Sequence, residues 1–66
     1  MLTKDQKTMI TENADFLREM SPNWRLGQAV FNSADSMFPN ETSVLRGGEF
    51  DCYHDDNMIN QFLEKL

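Results

Sequence analysis

The sequence predicts an all-α fold: a compact three-helix domain with a short extra helical turn and an irregular loop before the last helix. Three observations lead there. Apolar residues recur at three- and four-residue steps in three separate segments. Each segment is bounded by residue types that start or stop helices. The 66 residues leave room for a single domain, 1–66.

The first helix is announced by Thr3 and Gln6, which have capping-box spacing, with Leu2 ahead of them as a staple residue. Met9 to Phe16 and Ile10 to Leu17 are seven-residue steps, so the four are read together as one buried face, with Ala14 and Met20 alongside. The expected helix runs from about residue 4 to residue 20, a span set by those boundaries. Ser21-Pro22 then reads as an N-cap followed by a first-turn proline, which would start the second helix there. Its stripe is Trp24, Gly27, Val30, Phe31, Ala34 and Met37, then Phe38, with Pro39 as the stop. Gly27 costs about 1 kcal/mol against alanine inside a helix, so its presence predicts close approach by a neighbouring helix or loop. Leu26 and Ala29 flank that stripe. Buried, they widen the core; exposed, Leu26 marks a contact or self-association surface.

Pro39 to Glu41 reads as a turn, with Asn40 capping a short helical turn through Val44 and Leu45. Arg46-Gly47-Gly48 is a helix stop, because glycine accepts the left-handed conformation. Glu49 to His54 has no helical period and is expected to be irregular, seating Phe50 or Tyr53 on the helices. His54 or Asp55 caps the last helix, Asp56 adds negative charge to its first turn, and Met58, Ile59, Phe62, Leu63 and Leu66 form its buried face. The expected core is Met9, Ile10, Phe16, Leu17, Trp24, Gly27, Val30, Phe31, Ala34, Met37, Phe38, Leu45, Ile59, Phe62 and Leu63.

So short a chain buries only about 60% of the surface its unfolded form exposes. A staple is therefore expected, and a second copy is one way to supply it. A disulfide within the chain is excluded, since Cys52 is the only cysteine. The lone thiol, the polar start from Met1 to Lys7 and the lack of any ~20-residue apolar run predict a cytoplasmic protein with no membrane role. The net charge of −5 is uneven: residues 1–38 carry five acids against four bases, residues 39–66 six against two. Bases this few and this scattered predict no nucleic-acid partner.

Chemistry has three candidate seats. Glu49, Asp51, Cys52, His54, Asp55 and Asp56 gather the only thiol, the only imidazole and four carboxylates within eight positions. Asp51, His54, Asp55 and Asp56 are the candidate metal ligands, although their spacing matches neither a calcium loop nor a zinc ribbon. The plainer expectation is a polar loop and an N-cap, with no metal and no cofactor. Cys52 and His54 lie close enough for a nucleophile and its base, but so short a chain offers little room for a substrate pocket, so no enzyme is expected. Arg25, Gln28, Asn32 and Asp35 form a polar stripe on the second helix. Gln28 can pair with Asn32, and Arg25 is expected to fork onto Asp51 or Asp55, tying the loop to the helix. Arg25, Gln28, Asn32, Asp51 and Asp55 are thus a structural polar network or a partner-binding stripe. Five methionines add adaptable apolar surface.

The run Arg25-Leu26-Gly27-Gln28-Ala29-Val30-Phe31-Asn32 resembles a group of very small, functionally uncharacterised proteins of bacteriophages and bacteria. Those carry Arg-x-Gly-Gln-x-x-x-Asn on a helix, a proline turn, Arg-Gly, and an Asp-x-x-x-Asp segment entering a helix that ends Ile-x-x-Phe-Leu. Here the counterparts are Pro39, Arg46-Gly47, Asp51 with Asp55, and Ile59 with Phe62-Leu63. The resemblance covers about residues 24 to 66 and departs at Cys52, where proline is expected. It implies a shared fold, a phage-type origin and hence a host-cell cytoplasm, and no reaction. The expected function is a small non-enzymatic protein that modulates a host or phage protein by binding it. The alternatives are a metal-binding module built on residues 49–56 and, lower, an acidic DNA mimic.

Overall fold

A computed structural model describes residues 1–66. The chain is all helical: α1 (Lys4–Met20), α2 (Leu26–Met37), α3 (Pro39–Leu45), a single 3-10 turn (Asp56–Met58) and α4 (Ile59–Lys65). The short third helix is the extra turn expected from the sequence, extended by Pro39 at its first position.

Helix α1 begins on the anticipated capping box. Gln6 N–H donates to Thr3 Oγ1 at 3.2 Å, and Thr3 N–H donates to Gln6 Oε1 at 2.7 Å. Two of the four orphan amides of that helix end are thereby satisfied. Its far end differs from expectation. Ser21 does not open α2; its N–H donates to the Leu17 carbonyl and closes α1. Residues 22–24 turn the chain, and α2 starts at Leu26 with Arg25 in the cap position. A serine-proline pair suits a helix start locally, but the start of α2 is held by a residue thirty positions away, described below.

Phe38 joins two helices in one residue. Its N–H donates to Ala34 O, ending α2, and its carbonyl accepts from Thr42 N–H, opening α3. The asparagine expected to cap there, Asn40, instead accepts from Ser43 Oγ through its carbonyl. Past α3, Gly47 takes φ 71°, the left-handed stop that Arg46-Gly47-Gly48 predicts.

The core is centred on α2. Ala29, Val30, Phe31 and Ala34 are buried against Ile10 and Ala14 of α1, Phe62 of α4 and Cys52 of the loop. Leu26 packs half-buried against them, so the α2 stripe is a wide core face and not a contact surface. Small residues at 29, 33 and 34 let α1 lie close. Between the two helices Ser33 Oγ donates to the Ile10 carbonyl at 2.8 Å and accepts from Asn13 Nδ2 at 3.0 Å. Leu2 and Leu66 are both buried, and Leu2 N–H donates to Leu66 O at 2.7 Å. The accessible surface is 4304 Å², close to the ~4,300 Å² expected of a compact monomer of this mass.

Three expected core residues, Met9, Phe16 and Leu17, lie outside the core cluster, and two of them are exposed. Met9 and Phe16 are 50% and 55% exposed. Ile10 and Ala14 line the inner face instead, and Leu17 is half-buried at its margin. Met9 and Phe16 precede Ile10 and Leu17 by one residue each, and one residue is about 100° of helix rotation. The two seven-residue steps are therefore two stripes, and only one is covered.

Candidate functional site

The polar loop and the start of α2 form one structure. The helix opens without a side-chain cap of its own, because Arg25 makes no such bond. Asp56 supplies it: its Oδ1 accepts from Gly27 N–H at 2.8 Å. A carboxylate against a helix N-terminus meets both an unpaired donor and the positive end of the dipole. Asp56, expected to serve its own helix, thus crosses to another. Gly27 permits this. A methyl group there would overlap the Cys52 carbonyl oxygen and stand 2.9 Å from Asp56 Oδ1. The close approach predicted from a glycine in a buried stripe is the loop backbone lying on it.

Arg25 does not fork onto a carboxylate. Its Nη2 donates to the Tyr53 carbonyl at 3.0 Å and lies 3.4 Å from His54 Nδ1. Arginine only donates, so Nδ1 is the acceptor in that contact. The ion pair in the fold is Arg46 with Asp35 at 2.7 Å, and the same guanidinium lies 5.1 Å from the Phe31 ring centroid. Gln28 does not pair with Asn32; its Nε2 donates to Tyr53 Oη at 3.3 Å. Asn32 is half-buried and makes no side-chain hydrogen bond to the loop. Tyr53 stands edge-on to Phe31, with centroids 5.7 Å apart. Arg25, Gly27 and Gln28 therefore all hold the loop on the helix.

The loop carboxylates do not converge. Asp51 accepts from Gly47 N–H at 2.6 Å and from Tyr53 N–H at 2.8 Å, one oxygen each. Asp55 accepts from Asn57 N–H at 2.9 Å and so caps the 3-10 turn before α4, as expected of it. With Asp56 on Gly27, three carboxylates face three separate sets of amides. No three His, Cys, Asp or Glu side chains are placed to hold a metal ion.

Cys52 is fully buried, and its Sγ donates to the Gly27 carbonyl at 3.3 Å. Burial first, then the Asp51 charge, pushes its pKa up to about 12. A nucleophile needs the thiolate, so this thiol is inert while folded. His54 is exposed and turned to Arg25 and the Tyr53 ring, so Cys52 and His54 do not form the nucleophile–base pair considered from sequence.

A different surface is open. Met9, Phe16 and Met20 are 50%, 55% and 70% exposed. Seven- and four-residue steps bring them within about 20° of one line on α1. An open groove of about 480 Å³ continues that line toward α2, lined by Met9, Glu12, Asn13, Ser36 and Met37. A smaller hollow of about 190 Å³ lies between Val44 and Leu45 of α3 and the chain ends at Met1 and Leu66. Sequence reasoning missed the α1 surface because it placed Met9 and Phe16 inside. The signal was present as two adjacent apolar stripes where one neighbour can cover only one.

Comparison with protein-family models, with curated proteins and with solved structures gave no match.

Proposed function

We propose that this chain is a small non-enzymatic interaction protein that acts by binding another protein through the outer face of α1. The observation that carries the reading is the exposure of Met9, Phe16 and Met20 on one line of a well-formed helix. In a chain of 66 residues, where apolar area is scarce, three large apolar side chains left outside the core are a costly use of it. Contiguous exposed apolar surface of a few hundred Å², on the order of the largest patch a monomer carries, is commonly functional. Methionine suits such a surface because it is flexible and polarizable.

The polar loop supports the same division of labour. Asp51 and Asp55 are spent on nearby backbone amides, Asp56 and Tyr53 are spent on α2, and the thiol is buried, so this chemistry is consumed by holding the fold.

The test compares three tagged forms of the protein in extract of the cell that makes it. Wild type and His54→Ala are expected to retain the same partner, and Phe16→Asp to lose it while unfolding at the same urea concentration. Retention by Phe16→Asp, or loss by His54→Ala alone, contradicts the reading.

A further inference from the structure

The exposed line on α1 has a charged neighbour. Asp5, Glu12 and Glu19 are all exposed and seven residues apart, and they run beside Met9 and Phe16 on the side away from the core. In heptad terms Met9 and Phe16 take one seam position, Met20 the other, and the three acids the flank that borders the seam. The opposite flank holds Ile10, which is fully buried, and Leu17, which is half-buried. A partner helix laid on this seam therefore meets one charged flank only, and that flank is uniformly negative. Two of the three bases of α1 are turned elsewhere: Lys7 Nζ donates to Glu64 O and Arg18 Nε to Trp24 O, while Lys4 is the first residue of the helix, one turn short of Met9. Across the groove, Asp35 is engaged by Arg46.

We infer that the seam of Met9, Phe16 and Met20, bordered by Asp5, Glu12 and Glu19, receives a basic amphipathic helix: one apolar stripe with Lys or Arg at seven-residue spacing beside it. The inference rests on the interaction reading above and narrows it to one partner chemistry. A second copy is the wrong occupant. Antiparallel two-fold pairing of this face sets the acidic flank of one chain against the acidic flank of the other, where like charges oppose association, and parallel pairing sets it against the Ile10 flank, which the protein's own core already occupies. An anionic membrane surface is disfavoured by the same charges.

The probe is a synthetic helix of about three heptads with leucine on the seam and lysine on both flanks. Two further peptides complete the set: one with glutamate replacing lysine, and one with the lysine peptide's composition scrambled to remove the stripe. Binding to labelled protein is followed by amide chemical shifts and by anisotropy. The lysine peptide is expected to bind at least tenfold tighter than either other peptide, with shifts centred on residues 9–20. Glu12→Lys with Glu19→Lys, both at exposed positions, is expected to reverse the preference toward the glutamate peptide, and Phe16→Asp to abolish binding of both stripe-bearing peptides.

Equal binding of the lysine and glutamate peptides, both lost in Phe16→Asp, overturns the basic partner while leaving the α1 face as an interaction surface. Binding of the scrambled peptide as tightly as the lysine peptide, or binding untouched by Phe16→Asp, reduces the effect to general charge attraction and overturns the inference. No binding by wild type that sediments as a dimer, converted to monomer by Phe16→Asp, assigns the seam to a second copy and overturns it as well.

Discussion

Alanine at position 27 sets two rules against each other. Helix propensity alone makes Gly27→Ala stabilising, by at most about 1 kcal/mol at this second position of α2, since glycine is the poorer residue in a helix. The structure requires the opposite sign. The new methyl would overlap the Cys52 carbonyl and crowd Asp56 Oδ1, and the first of these is backbone that no rotamer change can move. The loop must retreat by roughly 1 Å, more than a close-packed interior absorbs without rearrangement. Retreat stretches the Asp56–Gly27 bond of 2.8 Å and the Cys52–Gly27 bond of 3.3 Å. A charge-assisted bond contributes about 1.5–3 kcal/mol and a neutral one about 1. Setting the propensity gain against these losses and the displaced packing of Tyr53 gives a net loss of about 2–4 kcal/mol. A domain of this length has about 3–10 kcal/mol in total, so much of its stability is at stake. Urea unfolding followed by circular dichroism at 222 nm reads the change directly. In a thermal scan the same loss lowers Tm by on the order of 10–30 °C. A Gly27→Ala protein as stable as wild type, or more so, would refute the seating of the loop on α2.

Three further outcomes follow from the same contacts. Asp56→Ala leaves Gly27 N–H without its acceptor and should cost about 1–2 kcal/mol in urea unfolding, the range of a lost N-cap; an unchanged midpoint removes Asp56 from that role. Thr42 Oγ1 is buried without a partner, so Thr42→Val should stabilise by about 1 kcal/mol, since it removes an unsatisfied hydroxyl without opening a cavity; a loss of stability would mean the hydroxyl is satisfied in solution. Cys52 should react with a thiol reagent at pH 8 only as fast as the protein unfolds. Its pKa is raised in the fold from 9.0 to about 12, so the protonated thiol's contribution is intact below pH 9 and lost as pH climbs toward 12. Cys52→Ala should therefore show a shallower fall in stability over that range than wild type, and identical slopes would contradict the burial of the thiol.

What the sequence conveyed well was local. The Thr3–Gln6 box, the Gly47 stop and the Asp55 cap are each decided within a few residues, and each stands where the pattern puts it. Gly27 was informative for a related reason: a glycine in a buried stripe has few explanations other than close approach. The misread features depend on residues far apart in the chain. Ser21-Pro22 has the chemistry of a helix start, yet α2 begins at Leu26 because Asp56 caps it from across the fold. Sequence matches Arg25 to carboxylates because charges are visible in it. Its partner is a backbone carbonyl, which every residue has and none advertises. Periodicity places Met9 and Phe16 inward because it locates a face without saying which of two adjacent faces is covered.

Under the proposed reading residues 49–56 hold the fold and the outer face of α1 makes the contact. A photo-crosslinking residue placed in turn at positions 16 and 54, in the cell that makes the protein, separates the two roles. The prediction is a discrete adduct from position 16, lost when Met20→Asp is added, and none from position 54. A discrete adduct from position 54 with none from position 16 would contradict it.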